Sequence, residues 1–112
     1  MKIAIPTSEG KLCMHFGHCE VFTIFNVNEK TQKIESTEIK TPPPHEPGVL
    51  PKWLGELGVN VIIAGGMGMR AQELFAANNV KVMVGASGDT PESTVKSYLT
   101  GTLTTGANVC DH

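Results

Sequence analysis

Val59-Asn60-Val61-Ile62-Ile63-Ala64 is an almost unbroken apolar run closed by Gly65-Gly66-Met67-Gly68. A strand that is apolar on both sides needs cover on both faces, which places it inside a parallel or mixed sheet with helices packed over it. The residues that follow supply the cover. Met69–Asn78 sets Ala71, Leu74 and Phe75 at helical spacing, Lys81–Val84 reads as a further strand, and Pro91–Leu99 reads as a second helix. Thr90 is its N-cap, Pro91 its first helical residue and Gly101 its stop. Strand, helix, strand, helix in this order implies parallel pairing.

The first half has another texture. Lys2–Pro6 predicts a short strand ended by Pro6 and the polar turn Thr7-Ser8-Glu9-Gly10. Val21–Val27, rich in β-branched and aromatic residues, predicts a strand, and Lys33–Ile39 its hairpin partner across the turn Asn28–Thr31. The sparse apolar content of Lys33–Ile39 marks an edge. The prolines of Thr41–Gly48 exclude helix or sheet interior, and Val49–Leu57 predicts a helix ended by Gly58. The order β-β-β-α-β-α-β-α describes an α/β domain with a mixed sheet of about five strands flanked by helices. It spans residues 1–101, with a tail over 102–112. If the parallel assignment holds, the loops Thr7–Glu20, Gly65–Gly68 and Gly85–Asp89 share the sheet edge where α/β proteins bind ligands.

Charge and cysteine content narrow the function. Nine Lys and Arg against 11 Asp and Glu give a net charge of −2, without the basic excess of a nucleic-acid binder. Three cysteines in 112 residues cannot all pair within the chain, which disfavours a secreted disulfide scaffold. Nor does any stretch have the apolar length of a signal core or a membrane span. The expectation is a cytoplasmic protein with free thiols, bound to neither nucleic acid nor membrane.

Those thiols are concentrated. Cys13-Met14-His15-Phe16-Gly17-His18-Cys19 holds two thiols and two imidazoles within seven residues. Thiolate and imidazole suit zinc, copper, iron and iron–sulfur species, and Gly17 lets the loop turn so that several ligands converge. Cys19 borders a strong strand and equally suits a packed apolar position. Cys110 and His112 form a second pair at the chain end, able to close over a metal held by the first loop. Gly65-Gly66-Met67-Gly68-Met69-Arg70-Ala71 is a glycine turn between strand and helix. It is suited to an anion through its amides and Arg70, or required for backbone reasons alone. No carboxylate follows where a dinucleotide ribose needs one. H-E-x-x-H and G-x-S-x-G are both absent.

Three stretches together carry a resemblance. Met1-Lys2-Ile3-Ala4-Ile5-Pro6-Thr7, His15-Phe16-Gly17-His18-Cys19-x-x-Phe22 and Ile63-Ala64-Gly65-Gly66-Met67-Gly68 resemble the dinitrogenase iron–molybdenum cofactor-binding family. That family includes NifX, the C-terminal part of NifB and small stand-alone proteins, among them the orange-protein branch with its molybdenum–copper sulfide cluster. The resemblance implies a ribonuclease-H-like fold. It also implies a non-enzymatic role in binding, carrying or assembling a metal–sulfur cluster of iron, molybdenum or copper, in a family related to nitrogen fixation. His15 is the position it associates most with the cluster. Phe16, Gly17, His18, Gly65, Gly66, Gly68 and Arg70 complete the expected cofactor-binding set. Cys13, His18, Cys19, Cys110 and His112 join His15 as metal-ligand candidates. The partners expected are cluster donor and acceptor proteins, with the chain a monomer or weak homodimer. Two other classes predict different things: a regulatory or interaction domain with a structural or incidental metal, and a thiol redox protein.

Overall fold

The computed structural model describes residues 1–12, 20–43, 48–86 and 90–101. Within these, β1 is Lys2–Ser8, β2 Lys11–Leu12, β3 Val21–Asn28 and β4 Lys33–Lys40. There follow α1 Val49–Glu56, β5 Val61–Ile63, α2 Met69–Ala77, β6 Lys81–Met83 and α3 Pro91–Thr100. The strands form one six-stranded sheet in the order β4-β3-β1-β5-β6, with β2 paired to β1 off this path. β1, β5 and β6 are parallel, whereas β3 runs antiparallel to both β1 and β4. This is the mixed, helix-flanked, ribonuclease-H-like sheet expected.

Alternation along β1 divides the core in two. Ala4 joins Phe22, Ile24 and Ile62 on one face, under Leu50 and Leu54 of α1 and Phe75 of α2. Ile3 and Ile5 join Phe25, Val61 and Ile63 on the other, under Val95 of α3. Phe22 also meets Trp53 edge-on, ring centroids 5.7 Å apart, tying β3 to α1. Where α1 nears α2, Gly55 makes room. A Cβ there would lie 3.2 Å from the Asn78 Cβ and 3.3 Å from its carbonyl oxygen.

Two expectations are corrected. Pro6 does not end the first strand: β1 runs through Ser8, and Thr7, expected in a turn, is buried opposite Val21. The reason is direction. The Lys2 carbonyl accepts from Asn60 N on the β5 side, and a period of two turns Pro6 the same way. The missing amide hydrogen therefore falls on the β5 side, where pairing stops at Ala4 and Ile62, and the β1–β3 ladder loses nothing. Secondly, β2 was not expected. It is the return arm of a tight hairpin whose turn residues, Glu9 and Gly10, have φ of 53° and 77°. Glycine suits that conformation, and Glu9 adopts it against its preference.

Candidate functional site

The parallel strands end at one edge. There β1 leads towards the loop between Leu12 and Glu20, β5 leads into Gly65–Gly68, and β6 leads into residues 84–86. The chain leaves β1 towards β3 on one side and returns through α1 to β5 on the other. The reversal point therefore lies between β1 and β5, the position where open α/β sheets form a ligand crevice. Because Pro6 offers no hydrogen there, the two strands part before their ends.

Both sides of this switch point are braced. On the β1 side, the Glu20 amide donates to the Thr7 carbonyl at 3.0 Å. The Glu20 carboxylate accepts from Ser8 Oγ at 2.9 Å and from the Glu9 amide at 3.2 Å, pinning the hairpin turn. Beneath it, Thr7 Oγ1 lies 2.9 Å from both the Ile5 carbonyl and Thr23 Oγ1. Since Thr7 donates to the carbonyl, the Thr23 hydroxyl must donate to Thr7. On the β5 side, the Gly85 amide donates to the Gly65 carbonyl at 3.0 Å, and Ala86 N to Ala64 O at 3.3 Å. Gln72 Nε2 donates to the Met67 carbonyl at 2.9 Å, holding the turn from inside α2.

Gly65, Gly66 and Met67 are buried, while Gly68, Met69 and Arg70 are exposed. The two flanking methionines therefore differ: Met67 fills the core, and Met69 is 61% exposed at the start of α2. Gly68 is the N-cap of α2, with φ −65° and ψ 156° and no side chain to cap the helix. A Cβ at Gly68 would meet nothing within 4 Å. Neither backbone nor space requires glycine here, and its effect is to leave the first-turn amides of α2 without a side-chain cap among the described residues.

Of the residues singled out from the sequence, Gly65, Gly66, Gly68 and Arg70 are therefore gathered at one turn beside the crevice. Cys13, His15, Phe16, Gly17, His18, Cys19, Cys110 and His112 lie outside the described residues, as does the 102–112 tail. Among the described residues no three His, Cys, Asp or Glu side chains form a metal site. No described helix is long and apolar enough to cross a membrane. Sequence reasoning missed Glu20, whose role depends on β1 extending to Ser8.

The fold defines a small α/β domain whose parallel strands end along one edge. The comparisons carry this further. Residues 1–101 match the family model described as dinitrogenase iron-molybdenum cofactor, and the chain belongs to that family. The crystal structure of PH0822 matches with a TM-score of 0.85 at 24% identity, over 94% of each chain. A candidate dinitrogenase from Methanocaldococcus jannaschii matches with a TM-score of 0.75 at 21% identity, over 96% of each chain. The apo form of the orange protein from Desulfovibrio gigas gives 0.75 at 22% identity, over 96% of this chain and 93% of that one. At these identities the structures speak for the fold. No curated protein matches the chain significantly.

Proposed function

We propose that this chain is a non-enzymatic cytoplasmic carrier of a metal–sulfur cluster, taking its cargo from a donor protein and passing it to an acceptor. The cargo is an iron, molybdenum or copper sulfide species. His15 is its principal protein contact. His18, Cys19 and Cys13 assist from the same loop, and Cys110 and His112 are added from the tail. Sulfide clusters are anionic, and the open amides of α2 with Arg70 suit such a charge. Few covalent protein ligands suit a carrier, because cargo must also leave. The observation that carries this reading is the α2 N-terminus, left uncapped at Gly68 beside the β1–β5 crevice, in a chain whose family match takes in both turn and loop.

Anaerobic reconstitution with iron, molybdate or copper and sulfide tests it. Metal and sulfide should co-purify with the chain, and His15→Ala should lose most of both at an unchanged melting temperature. No bound metal, or equal binding by His15→Ala, overturns the assignment. Zinc in the anaerobically isolated protein would favour a structural metal instead.

A further inference from the structure

The open edge of the sheet carries a pattern unrelated to the cluster site. Among the described residues β4 has no neighbour on its outer side, whereas the opposite edge, β6, is only three residues long. An unpaired strand of eight residues is a template for another strand unless something blocks it. Which backbone groups it offers follows from the ladder. Met1 and Val27 exchange both hydrogen bonds, so the odd residues of β3 face β1 and the even ones face β4. Phe22, Ile24 and Asn26 therefore bond Lys40, Glu38 and Ser36. Thr37 and Ile39 are left with amide and carbonyl directed outward, clear of the bulge beyond Asn26.

The side chains around them read Thr37-Glu38-Ile39-Lys40-Thr41, a sequence whose charges reverse about Ile39. Ile39 is 70% exposed, one of two large apolar side chains so exposed among the described residues. Glu38 and Lys40 have no ion pair among the described residues, where Glu92 and Lys96 form the one salt bridge.

We propose that β4 pairs antiparallel with β4 of a second copy of this chain, about a two-fold axis through Ile39. In that register Ile39 stands opposite Ile39 of the second copy, the two exchanging both backbone hydrogen bonds. Glu38 stands opposite Lys40 on either side of the axis, and Thr37 opposite Thr41. A closed isologous contact results, with one five-residue patch supplying both halves. The same charges reject the neighbouring registers. Moving the axis one residue sets Glu38 against Glu38 or Lys40 against Lys40. Pro42 ends the pairing stretch. Since the axis reverses strand direction, the two crevice edges point opposite ways and neither is covered. One short strand pair buries well under the roughly 1,000 Å² of a stable interface, so this is a weak dimer.

Sedimentation equilibrium of the whole chain, from about 10 μM to about 1 mM, tests the pairing. Wild type should rise towards dimer mass. Glu38→Lys and Lys40→Glu each oppose like charges twice and should weaken association about tenfold. The double variant Glu38→Lys/Lys40→Glu restores both pairs and should recover wild-type association, and the two single variants mixed should form a heterodimer. A monomeric wild type at 1 mM, single variants that associate as wild type does, or a double variant that fails to recover, overturns the proposal. Glu38 is exposed and Lys40 half-buried on the edge strand, outside both core clusters, so melting temperature and cluster loading should stay close to wild-type values. The result is thus independent of what the crevice holds.

Discussion

Gly68 is where stability and binding pull apart. Its φ and ψ suit any residue and its Cβ direction is open, so a better cap is sterically free. Gly68→Asp should stabilise α2 by a few tenths of a kcal/mol, a rise of roughly 1–3 °C in melting temperature. The added carboxylate should at the same time lower loading with an anionic sulfide cluster. Calorimetry and metal analysis of one preparation would read both. The buried hydroxyl pair gives a second test. Thr7→Val leaves the Thr23 hydroxyl without its acceptor and should cost about 1–3 kcal/mol, whereas Thr23→Val leaves Thr7 bonded to Ile5 and should cost about 1 kcal/mol or less. Urea titrations of the two variants would rank them.

Local chemistry made the helices and the longer strands readable in advance. Thr90 accepts from the Ser93 amide at 3.4 Å, Pro91 opens α3, and Gly101 closes it with φ 74°, as the residue types foretold. Thr90→Ala should therefore cost about 1 kcal/mol by thermal unfolding. The exposed Glu92–Lys96 pair at 3.4 Å should contribute far less. The elements misjudged were those whose conformation depends on a neighbour. Proline reads as a strand end until the side its nitrogen faces is known, and only the pairing of β1 with its neighbours reveals that. β2 has two residues, too few for any period, and exists because β1 runs long enough to pair with it. Glu20 belongs to the same case. Glu20→Ala should release the hairpin turn and reduce cluster loading more than it lowers the melting temperature, an inequality that metal analysis and calorimetry together can check. In the site itself, the glycine turn was legible because it falls between an apolar strand and a helical period, where a turn must come. An arrangement for Cys13–Cys19 was not, because ligand spacing in a loop fixes no geometry, and these residues lie outside the described ones.

At the scale of the whole molecule, the described chain ends at Gly101, the C-cap of α3. α3 runs back across the sheet, and its last residues, Leu99 and Thr100, line a groove with Gln32, Lys33 and Ile34 at the β3–β4 turn. Gly101 therefore leaves from the edge opposite Gly68. Nine residue steps to Cys110, at about 3.3 Å each, cover about 30 Å, against about 15 Å for the length of α3. That contour exceeds the length of α3, as the proposed part of Cys110 in holding cargo requires. Removal of residues 102–112, which the proposed function assigns to the cargo and not to the core, should leave the melting temperature within about 2 °C. It should also reduce retention of bound metal under chelator challenge. Equal retention would show that the first loop holds cargo unaided.

The seam between β1 and β5 has one more consequence. It joins the antiparallel half of the molecule, β1 to β4, to the half built from β5, β6 and their helices, and its ladder is only Ile3 with Val61 and Ala4 with Ile62. In the language of native-state exchange, this two-pair ladder is where the halves would part if they opened as separate units. A ligand seated across that boundary would act as a clamp on their separation. Loading would then slow amide exchange along β1 and β5 first, and the state of the cargo would be legible in how tightly the two halves hold together.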